Sequence, residues 1–356
     1  LVNKSNASTQ EEMNNIFLSL LVVLAMTNSA FCDYLVNGNA MYFKGDYDGA
    51  IVNFTKAIEL DQGNYTAYCF RALAKQSKGD WDGALADYDK TIELKPDYAL
   101  AYNNRGNVKH AKHDLSGALA DFAKAIELKP DYADAYFNRG LTKKVQGDLD
   151  GAIADYNKTL ELKPSFADAY INRGNIKKRK GDLEGSIEDY NKYIALKSND
   201  ALAYNGRGRV KEAKGDLDGA IADFTKAIEQ NRDYALSYNN RGWCEFLKND
   251  FDPAISDATR AIQLDSKYGF SYGTRGWSRY GKGDLAGALE DCAKAVELEG
   301  VNSLDAAGDQ GMIDFINNDY KRAVDSWQRA AQADASVQRE IQPWIEKAKA
   351  KLSAAK

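Results

Sequence analysis

An all-α solenoid is the fold class this sequence predicts, on three observations. A 34-residue unit recurs nine times between about residue 31 and residue 337. Within each unit the apolar and small residues fall into two runs at helical spacing. Only five prolines interrupt a chain rich in Ala, Leu, Glu, Lys and Asp. A fixed period of this length means stacked supersecondary units, each burying its apolar face on its neighbours, in place of one globular core.

The repeat is plain when blocks are set side by side: AYNNRGNVKHAKHDLSGALADFAKAIELKPDY (101–132), AYFNRGLTKKVQGDLDGAIADYNKTLELKPSF (135–166) and AYNGRGRVKEAKGDLDGAIADFTKAIEQNRDY (203–234). In the unit 99–132, numbered 1 to 34, positions 1–14 predict helix A. A turn follows at His113-Asp114, where most units have Gly-Asp. Positions 18–31 predict helix B, stopped by Pro130. Ala101, Gly106, Ala118, Phe122 and Ala125 form the stripe that faces a partner helix. Glycine at position 8, as in Gly106, Gly140 and Gly208, costs about 1 kcal/mol of helix propensity against alanine, so close helix packing is expected to compensate.

Before the repeats, residues 16–26 (IFLSLLVVLAM) are apolar over a length that suits the core of a signal peptide. With a start at Met13, residues 1–12 would be an upstream extension, and cleavage is expected after Ser29 or Cys32. A start there leaves no Lys or Arg ahead of the apolar run. The expectation is export to the periplasm or secretion; a membrane anchor through an uncleaved signal, or a cytoplasmic chain, is the alternative. The organisation expected is therefore 1–30 leader, 31–337 solenoid, and 338–356 a capping helix with the apolar stripe Trp344, Ile345, Ala348 and Leu352.

Composition excludes several functions. A net charge of −5 supplies no basic footprint for nucleic acid. Cys32, Cys69, Cys244 and Cys292 have neither disulfide nor metal-ligand spacing. The two histidines, His110 and His113, lie three apart without a carboxylate or cysteine partner, so no metal and no cofactor is expected. No nucleophile–base spacing appears outside the repeats, and an enzyme is not expected.

The unit resembles the tetratricopeptide repeat: 34 residues, small residues at positions 8, 20 and 27, an aromatic at 24 and proline at 32. The resemblance covers 31–64, 65–98, 99–132, 133–166, 167–200, 201–234, 235–268, 269–302 and 304–337. It implies a right-handed superhelix of helix–turn–helix units. The chain departs from the family at position 7, where leucine is usual: repeats 2 to 8 carry Arg71, Arg105, Arg139, Arg173, Arg207, Arg241 and Arg275. Position 23 of the same repeats is always aspartate, from Asp87 to Asp291, and repeats 1 and 9 lack both residues. That joint substitution points to a structural ion pair between helix A and a helix B. A row of arginines offered to anionic ligands is the alternative.

The resemblance further implies that helix A positions 2, 5, 6, 9, 12 and 13 line a concave face that holds a protein or peptide ligand. Asn104, Asn138, Asn172 and Asn240 at position 6, with Asn107 and Asn175 at position 9, form a strip able to pair with a peptide backbone or with neighbouring helices. Lys144, Lys178 and Arg179 add a basic zone beside His110. Trp243 and Phe246, then Trp277 and Tyr280, make the C-terminal end aromatic, for an apolar ligand segment or for burial under the chain's own last helix. The lysine at position 5 that the family's chaperone-tail clamp requires is missing. The function expected is a non-enzymatic interaction scaffold for a peptide or partner protein. Recognition of a glycan or cell-wall polymer, or service as an accessory subunit of an enzyme complex, is the alternative.

Overall fold

The computed structural model of the chain describes residues 29–300, 302–332 and 335–354. The apolar run at 16–26 and the start at Met13 lie outside them. No described helix is long and apolar enough to cross a membrane.

Among the described residues every element is a helix. Helices of type A are α1 (Ser29–Phe43), α3 (Tyr65–Lys78), α5 (Ala99–Ala111), α7 (Ala133–Gln146), α9 (Ala167–Arg179), α11 (Ala201–Lys214), α13 (Ala235–Leu247), α15 (Gly269–Lys282) and α17 (Leu304–Ile316). Each is followed by its B helix: α2 (Tyr47–Leu60), α4 (Trp81–Leu94), α6 (Leu115–Leu128), α8 (Leu149–Leu162), α10 (Leu183–Leu196), α12 (Leu217–Gln230), α14 (Phe251–Leu264), α16 (Leu285–Glu299) and α18 (Tyr320–Ala330). A final helix, α19 (Ala335–Ala354), starts three residues before the 338 expected. The chain divides into two compact units, Leu1–Arg173 and Gly174–Lys356. Within each unit, A packs on its own B and on the B before it, and successive A helices touch along one face.

The turn between A and B explains its own sequence. Gly147 sits at φ 87°, the left-handed conformation that ends a helix at least cost in glycine. Asp148 then caps α8, its carboxylate accepting the Gly151 N–H at 2.9 Å. A Cβ on Gly151 would collide with that carboxylate, which accounts for the Gly-Asp-x-x-Gly run. His113, Asn249 and Asn318 take the left-handed position in repeats 3, 7 and 9. At the other end of helix B, Lys129 leaves the helical conformation at φ −138°, which Pro130 after it favours; Asn231 and Asp265 do the same with no proline following.

Position 8 behaves as expected. A Cβ on Gly140 would lie 2.8 Å from the Tyr156 ring, and one on Gly106 2.7 Å from Phe122. The aromatic at position 24 fills the space that the glycine leaves, and both rings are fully buried.

Candidate functional site

The arginines at position 7 belong to the scaffold. Arg139 donates from Nε and Nη2 to the two oxygens of Asp155, at 2.9 and 2.6 Å, and Lys143 reaches the same carboxylate at 2.8 Å. The Arg71–Asp87, Arg105–Asp121, Arg207–Asp223, Arg241–Asp257 and Arg275–Asp291 pairs repeat this two-pronged geometry. These aspartates are buried, and each arginine pKa for which a shift is resolved is raised, first by its aspartate. The remaining nitrogen, Nη1, ties back to position 25 of the preceding repeat wherever that residue is polar, as Arg105 does to Asp89 at 2.7 Å; for Arg139 the position is Ala123. The guanidinium groups also stack over the tyrosine at position 4, Arg139 over Tyr136 at 5.5 Å. They are not offered to a groove ligand.

Repeat 7 breaks the pattern. Position 11, a lysine or arginine in repeats 2 to 6 and 8, is Glu245 here. Its carboxyl is half-buried beside Asp257, one oxygen has no hydrogen-bond partner, and its pKa is pushed up to about 7. Burial is the main cause, followed by Asp257 and opposed by Arg241; Asp250 raises it further and Lys248 lowers it. Pro253 also stands where repeats 1 to 6 and 8 have the glycine whose N–H the capping carboxylate accepts, so the Asp250 side chain makes no cap bond. The raised pKa means that Glu245 costs stability increasingly as pH rises from about 4.5 to about 7, and in full above that. Glu245→Lys is expected to raise the unfolding free energy at pH 8 by about 1 kcal/mol, allowing for solvent screening, and by less at pH 5. Urea titrations at the two pH values measure this. An equal effect at both would show that like-charge repulsion is not the cause.

The asparagine strip is largely spent on the protein itself. Asn138 donates to Asn103 at 3.0 Å, Asn240 to Asn205 at 3.1 Å, and Asn104 accepts from Asn103 at 3.1 Å. Position 6 of one A helix thus bonds position 5 of the one before, and Asn104 and Asn138 are buried. Asn172 accepts from Lys144 at 2.7 Å and donates to the Asp168 carbonyl; Asn175 is exposed and accepts from Tyr190 at 2.6 Å. Asn107 is half-buried on α5, Lys178 is half-buried and Arg179 exposed. His110 meets Thr142 at 2.9 Å, and burial lowers its pKa. Of the two uses expected for the strip, bonding to neighbouring helices is the one made by Asn138, Asn172 and Asn240, while Asn104 bonds within its own helix.

The aromatic end is not open either. Trp277 and Phe246 are 4% and 6% exposed, in one apolar cluster with Trp327, Ile341 and Ile345. Trp344 of α19 stands edge-on to Trp277 at 5.3 Å, and close to Tyr280 at 5.6 Å. The indole N–H of Trp243 donates to Glu340 at 3.1 Å and that of Trp277 to Asp309 at 2.8 Å. These rings are covered because α19 lies along the A helices of the second unit. A cavity of about 510 Å³ remains there, between Trp243, Phe270 and Trp277 on one side and Val337, Glu340 and Ile341 on the other. Burial pushes the carboxyl of Asp309, on its floor, up to about 7.

Family models described as TPR repeat match residues 73–113, 106–144 and 145–181, and those described as tetratricopeptide repeat match 167–200 and 205–268; together they span more than half of the chain. The chain belongs to the tetratricopeptide-repeat family. Among solved structures, MamA is 28% identical, with 47% of this chain covering 91% of that one at a TM-score of 0.44. YrrB, described as a TPR protein with an unusual peptide-binding site, is 26% identical over 52% of this chain and 95% of its own, at 0.46. PilF of Pseudomonas aeruginosa is 18% identical over 57% and 92%, at 0.53, a likeness of fold alone. No curated protein matches the chain.

Tetratricopeptide-repeat proteins are in general protein-interaction scaffolds and typically non-catalytic. In this member the A-helix face carries an apolar row that sequence reasoning did not single out, Leu202, Leu236 and Phe270 at position 2 of repeats 6, 7 and 8, of which Leu236 is half-buried. Leu202 is 62% and Phe270 44% exposed, whereas Leu100 at the same position in repeat 3 is buried. The signal was available, since position 2 belongs to the concave set and turns apolar in these three successive repeats. Exposed Arg209 lies on the cavity lining beside this row, with no ion pair or hydrogen bond among the described residues.

Proposed function

We propose that the protein is a non-enzymatic scaffold that takes a segment of a protein partner on the A-helix face of repeats 6 to 8, in an exported setting. The observation that carries this reading is the row Leu202, Leu236 and Phe270: Leu202 and Phe270 are exposed, Leu236 between them is half-buried, and Leu236, Phe270 and Arg209 line the cavity. Apolar side chains aligned on adjacent helices keep contact with water without serving the core, and such patches mark interaction surfaces. Arg209 supplies a charge for an acidic group of the same segment.

A display library of peptides selected on the full chain tests the reading. Substitution of Leu202 and Phe270 by Ser is expected to weaken the selected peptides at least ~10-fold, since buried anchors are worth about 1–2 kcal/mol or more each. The melting temperature should stay within about 2 °C, because neither side chain is packed in the core. Peptides that bind both chains equally, or a library that yields nothing while a polysaccharide binds, would overturn it.

A further inference from the structure

α19 does two jobs, and only one of them is capping. Val337, Ile341, Trp344, Ile345, Ala348 and Leu352 make one apolar ridge, at steps of three and four residues. The rear of that ridge covers Phe315 and Trp327 of the last repeat, the exposed end that any solenoid must close. The front runs back over earlier repeats. Arg339 donates to the Ala213 carbonyl at 2.8 Å, in the last turn of α11, where the helix dipole favours a cation. Glu340 takes the Trp243 indole N–H. These contacts span 126 and 97 residues, and capping the ninth repeat requires neither of them.

Pro343 lies at the junction of the two halves. It has no N–H to donate to the carbonyl of Arg339, so the helix is weakest where the strap meets the cap. The strap also fits incompletely: the cavity of about 510 Å³ persists beneath Val337, Glu340 and Ile341. Arg339 is exposed and Glu340 half-buried, so the two polar contacts named above are open to solvent.

We propose that the front half of α19 is a displaceable intrachain occupant of the A-helix face, holding the place of an amphipathic partner helix with an aliphatic–aromatic ridge of the same spacing. The fit of the front half shows what that partner presents: aliphatic side chains at the spacing of Val337 and Ile341 toward the cavity, an acidic group for the Trp243 indole, and a cation toward the carbonyl end of α11. The proposal rests on the partner-binding reading above and names the form that the partner takes.

The test uses the full chain and the variant Arg339→Ala/Glu340→Ala, which leaves the apolar ridge intact. The probe is a fluorescent synthetic peptide of residues 335–354, so no natural partner is needed. In the variant, amide exchange over 335–342 is expected to quicken at least ~10-fold, with 344–354 and the melting temperature unchanged. The peptide should bind the variant at least ~10-fold tighter than the unaltered chain. Pro343→Ala, which restores the missing N–H, should slow exchange of the front half. Faster exchange without tighter peptide binding would show that the face accepts no helix. Exchange that is unchanged, or that quickens along the whole of α19 with a lower melting temperature, would show that α19 is a cap only. Each of these overturns the proposal. None involves Leu202 or Phe270, so the selection experiment with those residues succeeds or fails independently.

Discussion

Asp155→Ala is expected to lower the unfolding free energy by about 3 kcal/mol, measured by urea titration at neutral pH. The carboxylate is 3% exposed and takes charge-assisted bonds from Arg139 and Lys143. Removing it leaves two partly buried cations facing each other, and breaking a buried pair on one side costs about 3–5 kcal/mol. The lower end applies because both cations keep a fifth of their surface in water. Lys158 and Glu161, a surface pair one turn along α8, provide the contrast: Glu161→Ala should cost under about 1 kcal/mol. A loss below about 1 kcal/mol at Asp155 as well would mean that the ladder sets geometry without holding the fold together.

Asp309→Asn is expected to act in the opposite direction and only at higher pH. Burial lifts the Asp309 carboxyl from the ordinary 3.8 to about 7, against the lowering effect of the Trp277 N–H and the Cys292 thiol. The folded chain therefore holds a proton that the unfolded chain has lost, and stability falls as pH rises from about 4 to about 7, remaining low above that. A shift of this size corresponds to roughly 4 kcal/mol at most. Asparagine keeps an acceptor for the indole and cannot ionise, so the variant should be the more stable chain at pH 8. The two should converge near pH 4. Melting curves across this range decide the matter: a variant less stable at every pH would mean that the ionised carboxylate is itself a required acceptor.

Much of the architecture was legible in the residues. The period, the Gly-Asp turn, the glycine at position 8 and the proline at position 32 are all local or repeated signals, and each has a local physical cause. The contact between positions 7 and 23 was legible for a different reason: both residues disappear together in repeats 1 and 9. The groove was less so. Asn103 and Asn138 look the same in sequence whether their amides meet a ligand or one another, and only the spacing of adjacent A helices decides it. For Trp243 and Trp277 burial under the last helix was one of two readings, and nothing local chose between them, because what covers them arrives from about 60 to 100 residues further on in the chain. Glu245 was visible as a break in a run of lysines; its importance emerges once Asp257 is seen beside it.

The sameness of the arginine ladder carries a liability during folding. Between repeats of the first unit Arg71 reaches Thr55 and Arg105 reaches Asp89, each sixteen residues back, so a repeat docked on the wrong neighbour would satisfy nearly the same bonds. A chain built only of such units would possess many almost equal ground states. The irregular residues act as addresses. Asp309, Trp243 and the α19 residues that meet it have a single correct counterpart each, and Glu245 is a poor neighbour for any aspartate at position 23. The C-terminal unit thereby fixes which repeat is which. The stability given up at Glu245 and Asp309 is offset by a unique register for the array.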